Sequence, residues 1–185
     1  RFKLQREQLY NSDAYKKTDI FIIATRFADS KCDAKLKNNP TDSDGLKFLI
    51  PRLKKDGKKI IVLGNTAHID NVEGQLLEEF IYHKAINEKI DFYSDEVFSK
   101  YKDYAEKIAF KKQSQKNNNT NNHLRKFSLD NNFYYFERRS LFCNDINFKC
   151  ITFTKNGHRI RYDYGHLTKE GKKVFGNLLL NSKFN

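Results

Sequence analysis

Two stretches, Asp19-Ile20-Phe21-Ile22-Ile23-Ala24-Thr25 and Lys59-Ile60-Ile61-Val62-Leu63-Gly64, decide the fold. Each is a short run of apolar, mostly β-branched side chains without polar alternation, the pattern of a strand buried on both faces of a parallel sheet. Between them, residues 42–56 place Leu46, Leu49, Ile50 and Leu53 at helical spacing and stop at Gly57, a residue suited to a helix C-cap. Strand, helix, strand over this distance is a βαβ unit, which predicts a parallel pair joined by a right-handed crossover.

Working outward, residues 1–17 are polar with scattered Phe2, Leu4, Leu9 and Tyr10 and read as the end of a helix. Residues 29–41 contain Pro40 and read as a loop. Downstream, 72–92 and 94–112 carry two Lys- and Glu-rich helical patterns, broken at Asp91-Phe92-Tyr93-Ser94 with Ser94 as N-cap. Residues 111–123, with Asn117-Asn118-Asn119, form a low-complexity tract expected to be a solvated loop or a frayed helix end. Phe133–Arg139 reads as a third strand. Residues 151–154 and 159–162 flank Asn156-Gly157, a hairpin signal. Thr168 caps a helix running to about Asn181, with Val174, Phe175, Leu178 and Leu179 toward the core. The alternation predicts one three-layer α/β domain over residues 1–185.

Composition narrows the classes. A chain of 185 residues with 38% hydrophobic and 31% charged side chains, sixteen Phe and ten Tyr has enough to bury one globular core. The net charge of +12 comes from Lys spread along the whole chain beside abundant Asn, Ile and Phe, the bias of an AT-rich genome. Arg, the usual reader of phosphates and base edges, is sparse, which argues against nucleic acid as the partner. No apolar run approaches the roughly 20 residues of a membrane-spanning helix, and no signal peptide is visible. Met is absent and the chain starts Arg1-Phe2-Lys3-Leu4, as expected of a domain taken from a longer protein. No cofactor motif and no second Cys or His pair at zinc-ligand spacing occurs. Cys143 and Cys150 are separated by six residues, and both a local disulfide and two buried thiols fit that spacing.

The chemistry sits in Tyr162-Asp163-Tyr164-Gly165-His166-Leu167-Thr168-Lys169-Glu170-Gly171, just before the last helix. A carboxylate three residues before an imidazole, on a turn containing glycine, accepts a hydrogen bond from one ring nitrogen. It thereby fixes the tautomer and leaves the other nitrogen as a base for a hydroxyl nucleophile. Asp-x-x-His is common by chance; His166-Leu-Thr-x-x-Gly171 and an apolar-spaced helix behind it add specificity.

This combination resembles the last conserved block of the SGNH, or GDSL, hydrolase superfamily. Farther upstream, Leu141-Phe142-Cys143, Cys150, Gly157 and Tyr162-Asp163 resemble the SGNH domain attached to membrane O-acyltransferases of bacterial surface polysaccharides. The strand ending Ala24-Thr25-Arg26-Phe27 is similar to that family's third block. The likeness runs in order over residues 15–180, with its specific part in the last 40 or so residues. It implies a flavodoxin-like three-layer sandwich with a mainly parallel sheet, Asp163 and His166 as triad acid and base, and a Cys143–Cys150 disulfide. It also implies an acylated carbohydrate or small ester as substrate, an upstream membrane acyltransferase domain, and the periplasmic or extracytoplasmic side of a bacterial membrane.

The departures are as informative. The family's nucleophile is the Ser of Gly-Asp-Ser after the first strand, and no Gly-Asp-Ser occurs here. Ser12, in Asn11-Ser12-Asp13, has no strand before it. The expectation is a domain truncated at its N-terminus, with first strand and nucleophile ahead of Arg1; an inactive relative is the alternative. The third-block Asn that helps bind the oxyanion is also missing. Arg26 and Asn65 are the candidates for substrate or oxyanion contact, although a surface ion pair and a turn residue are their ordinary roles. The remaining functional alternative is a non-catalytic basic module binding nucleic acid or anionic glycan through Lys and exposed aromatics.

Overall fold

The computed structural model describes residues 2–25, 27, 42–89, 95–163 and 166–182. In chain order the first elements are α1 (Phe2–Asn11), α2 (Asp13–Lys17), β1 (Ile20–Ile23), α3 (Asp42–Lys55) and β2 (Lys59–Leu63). The helices α4 (Leu77–Asn87), α5 (Asp95–Lys111) and α6 (Gln115–Asp130) follow. The last part comprises β3 (Tyr134–Phe136), α7 (Arg139–Phe142), β4 (Cys143–Asn144), β5 (Lys149–Cys150) and α8 (Lys169–Asn181). The chain forms two compact units, Arg1–Gly64 with Asn122–Phe136, and Asn65–Asn121 with Glu137–Asn185.

The first unit holds a parallel sheet of order β1-β2-β3. Ile20 pairs with Lys59 and Ile23 with Val62; on the other side of β2, Ile61 pairs with Tyr134 and Leu63 with Phe136. The parallel βαβ unit expected from 19–64 is therefore present, and the third strand lies within 133–139. Central β2 buries Ile60 and Val62 against Leu46, Ile50 and Leu53 of α3. One expectation fails. β1 is not covered on both faces: Ile20 and Ile22 are 49% and 63% exposed on one face, while Phe21 and Ile23, on the other, pack against the core.

Helix α3 carries Pro51 in its interior, where one amide hydrogen bond is forgone. Its apolar face sustains the helix, and Gly57 ends it in the left-handed region at φ 72°. Lys58 N–H reaches Leu53 O and Gly57 N–H reaches Lys54 O, the paired bonds of a Schellman cap. Gly64, after β2, lies under the Tyr135 ring, and a Cβ there would overlap the phenol.

The second unit is built around Ile81 and Ala85 of α4, Ala105 and Ala109 of α5, and Phe153 and Ile160 of the following segment. The helical pattern over 72–92 begins late, at Leu77, because Val72 and Gln75 exchange two backbone hydrogen bonds across a turn with Gly74 at φ 79°. The expected N-cap, Ser94, lies outside the described residues.

The low-complexity tract corrects a second expectation, since 115–123 of 111–123 forms the first half of α6, Gln115–Asp130, neither a loop nor a frayed helix end. Asparagine has low helix propensity, but here its amides make tertiary bonds. Asn121 is buried, donates to Asn65 O at 3.0 Å and accepts from Asn65 N–H at 2.7 Å. Asn117 Nδ2 donates to Thr66 O at 2.9 Å. Each bond satisfies a peptide group of residues 65–66 that would otherwise cost free energy on burial. Context overrides propensity.

The hairpin about Asn156-Gly157 forms as a looser reversal than expected. Phe153 bridges Arg159, Thr154 N–H donates to His158 O at 2.8 Å, and Gly157 sits at φ 80°. A second reversal pairs β4 with β5, setting Cys143 opposite Cys150. In α8, Val174 and Phe175 pack on the core, with Phe175 stacked on Phe142 at 5.8 Å.

Candidate active site

Asp163 and His166 lie together in the second unit. The Asp163 carboxylate receives the His166 backbone N–H at 2.8 Å, and His166 Nδ1 stands 2.7 Å and 3.0 Å from its two oxygens. One carboxylate thus fixes both the main chain and the ring of the same residue. The ring also stacks on Tyr162, 5.5 Å between centroids and 15° from parallel. With Nδ1 engaged, Nε2 is the nitrogen left to handle a substrate proton. The His166 side chain is 66% exposed and that of Asp163 33%, so the pair borders solvent.

The loop is held at its roots. Arg161 and Leu167 form an antiparallel bridge, and Tyr162 N–H donates to His166 O at 3.2 Å. Below it Thr168 caps α8: its Oγ1 donates to Arg159 O at 2.7 Å and accepts from Gly171 N–H at 2.9 Å. Gly171 packs directly on the Ile160 carbonyl, where a Cβ has no room. His-Leu-Thr-x-x-Gly is therefore a docking motif, in which the threonine caps the last helix and the glycine seats it on the strand-like segment before the Asp–His turn.

Two supports of this loop escaped the sequence reading. Arg161 forks onto Glu78 with Nε and Nη2 at 3.2 Å and 2.9 Å from one carboxylate oxygen, and both residues are buried. Beside it Arg159 Nη1 meets Glu79 at 3.3 Å. This ladder ties the first turn of α4 to the segment entering the Asp–His loop. The signal was Glu78 at a buried helical position among Leu77, Ile81 and Ala85, with Arg159 and Arg161 alternating about Ile160. Tyr162 was read only as a neighbour of Asp163.

The other candidates fall as follows. Asn65 is 4% exposed, and its peptide group is gripped on both sides by Asn121. The adjoining Thr66 and Ala67 line a cavity of about 10 Å³ with Phe142, Ile160, Arg161 and Leu167, room for about one water. The 65–67 segment thus lies beside the two residues that bracket the Asp–His loop. Arg26 lies outside the described residues. Cys143 and Cys150 are joined in a disulfide with Cα atoms 4.0 Å apart. Asn144 Oδ1 accepts Ile146 N–H at 2.8 Å inside the loop it closes, and Arg139 braces that loop through two bonds to Asp145 at 2.6 Å and 3.0 Å. His68 Nε2 is 4.0 Å from Asp70. No group of three metal-ligating side chains occurs among the described residues.

A family model described as "SGNH domain (fused to AT3 domains)" matches residues 2–181. Among solved structures, the chain is similar to the periplasmic domain of a lipopolysaccharide acetyltransferase from Salmonella ser. Paratyphi A, with a TM-score of 0.53 and 20% identity. That alignment covers 88% of this chain and 54% of the other, so the chain spans about half the length of its structural relative. No curated protein matches the sequence.

Proposed function

Because the chain belongs to the family of SGNH domains fused to AT3 domains, we propose that it carries the acid and base of a serine acyl-transfer centre. The observation that carries this reading is the Asp163 carboxylate 2.7 Å from His166 Nδ1 on a solvent-bordering loop. The nucleophile in this proposal is a serine in Gly-Asp-Ser context carried outside these 185 residues. Its hydroxyl attacks the carbonyl carbon of an acyl ester while His166 Nε2 takes the proton. Asp163 keeps the ring in the tautomer that leaves Nε2 unprotonated and then stabilises the imidazolium. The proton passes to the departing alkoxide, and the acyl group rests on serine. In the second half His166 deprotonates the acceptor: water for an esterase, a carbohydrate hydroxyl for an O-acyltransferase.

An oxyanion contact from Asn65 belongs to the same proposal and requires the substrate oxygen to reach a nearly buried side chain beside the Thr66–Ala67 cavity. Arg26 belongs to the same proposal as a second candidate for substrate or oxyanion contact. The Cys143–Cys150 disulfide supports an oxidising, extracytoplasmic setting. The family description supports fusion to a membrane acyltransferase domain.

The test is hydrolysis of an aryl acetate by this chain extended to include the Gly-Asp-Ser segment. His166→Ala is expected to lower kcat/KM by about 10²–10⁴-fold, the usual range for a positioned acid–base group. Equal rates for the wild type and the variant remove His166 from the mechanism.

A further inference from the structure

The bond to Asp163 does not by itself fix the plane of the His166 ring. Nδ1 stands 2.7 Å and 3.0 Å from the two carboxylate oxygens. The χ2 torsion of a histidine is broad, so the ring can tilt while Nδ1 passes from one oxygen to the other. With 66% of its side chain exposed, His166 has no core packing to resist that tilt. Tyr162 supplies the missing restraint. Its ring lies 5.5 Å from the imidazole between centroids and 15° from parallel, an offset stack that a tilt would break.

The stack has little to do for the fold. Tyr162 is 49% exposed and joins neither apolar cluster. The turn is closed without its ring, by the His166 N–H on Asp163 and by the Arg161–Leu167 bridge. The tyrosine is nevertheless carried on a fixed backbone. Arg161 beside it is forked onto buried Glu78, and Tyr162 N–H donates to His166 O at 3.2 Å. Rigidity thus passes from Glu78 through Arg161 to Tyr162, and from its ring to the imidazole.

We propose that Tyr162 is a positioning residue for His166, holding the ring plane so that Nδ1–H stays on Asp163 and Nε2 stays unprotonated and fixed in direction. The purpose of this device rests on the acyl-transfer reading; the geometry of the ring does not. A phenol face suits both states of the base. It stacks on the neutral imidazole, and it attracts the imidazolium formed once Nε2 has taken a proton. An aliphatic side chain at 162 offers neither. An imidazole released into water favours the tautomer with its proton on Nε2, which leaves that nitrogen unable to accept another.

The test reads the ring by NMR in the 185-residue chain with labelled histidine nitrogens, at alkaline pH where imidazole is neutral. The expected signature is a protonated Nδ1, a bare Nε2, and His166 ring protons shifted upfield by the Tyr162 ring current. Tyr162→Leu is expected to move both nitrogens toward free histidine and to abolish the upfield shift, while Tyr162→Phe keeps both. The Arg161 and Leu167 amides report whether the loop itself is intact. Wild-type ring protons at free-histidine positions overturn the proposal without any variant. It also fails if the Nδ1–H tautomer survives Tyr162→Leu, or is lost only together with the loop amides. In the serine-bearing form, Tyr162→Leu is expected to lower kcat for aryl acetate by roughly 2–10-fold with KM little changed, and Tyr162→Phe to preserve it. A held ring without His166-dependent hydrolysis would sink the acyl-transfer reading alone. Hydrolysis that needs His166 but is indifferent to Tyr162→Leu would sink the positioning role alone.

Discussion

Around β2 the first compact unit is held by apolar side chains, with Ile50, Leu53, Val62 and Leu124 sealed from solvent. The second unit also has an apolar core, yet it is laced with specific links: the Arg161–Glu78 pair, the Asn121–Asn65 amide bonds and the Cys143–Cys150 disulfide. Apolar burial is non-directional and tolerates small shifts. A buried fork or a disulfide does not, and fixes the segments it joins to within a few tenths of an ångström. The unit that carries the Asp–His pair is the one built from directional links, as a site that must hold a ring nitrogen in place requires.

The contrast breaks most sharply at Arg161. Arg161→Met leaves the Glu78 carboxylate buried without its fork, and unfolding stability is expected to fall by about 3–5 kcal/mol. The double variant Arg161→Met with Glu78→Met removes both charges and is expected to recover most of that loss, read as the midpoint of urea unfolding. In the double variant the Asp–His loop has lost its tether to α4, so stability returns while aryl acetate hydrolysis by the serine-bearing form does not. If activity returned with stability, the pair would be merely structural.

Next in size is the disulfide. It closes a loop of eight residues, for which chain-entropy arguments give about 2.5 kcal/mol. Reduction is expected to lower the melting temperature and to free the second unit's NMR signals around Cys143–Cys150 first. Signals of Ile60 and Val62, in the first unit, are expected to change only at the main transition. A uniform loss across both units at the same reductant concentration would dissolve the comparison.

This difference also decides what could be read from the sequence. Lys59–Leu63 is an apolar run whose fate depends on little beyond its own pattern, so β2 and its parallel neighbours were legible. Ile20 and Ile22 belong to the same kind of run, yet their exposure depends on what packs over their face of the sheet, which periodicity does not encode. In the second unit the local pattern around 117–121 indicated a loop, and only the peptide groups of Asn65 and Thr66, more than fifty residues away, explain the helix. That Asp163 and His166 meet was legible because three residues of spacing suffice to bring the two side chains together. Glu78 was not, because nothing near residue 78 specifies that an arginine at 161 will arrive.

The smallest effect sharpens the comparison from the other side, because the first unit has directional links too, and one of them joins Tyr15, Arg52 and Asp56. Tyr15 donates its hydroxyl to Asp56 at 2.5 Å, and Arg52 Nε lies 2.8 Å from the same oxygen. Burial first, then the hydrogen bond to Asp56, pushes the Tyr15 phenol up to about 12 from an ordinary 10.0. A phenol with a raised folded pKa stabilises the fold while the unfolded phenol is still protonated. That contribution is therefore complete below pH 10 and is lost as pH climbs from about 10 toward 12. Asp56 acts in the opposite direction: Tyr15 and Arg52 hold its carboxyl below the usual range, so its contribution fades only as pH falls through acid. Tyr15→Phe is expected to cost about 1–2 kcal/mol at neutral pH, a hydrogen bond to a charged group, and to flatten the alkaline limb of the stability profile. If the alkaline limb persists in Tyr15→Phe, some other titrating group sets it, and the Tyr15–Asp56 bond does not shape the stability profile.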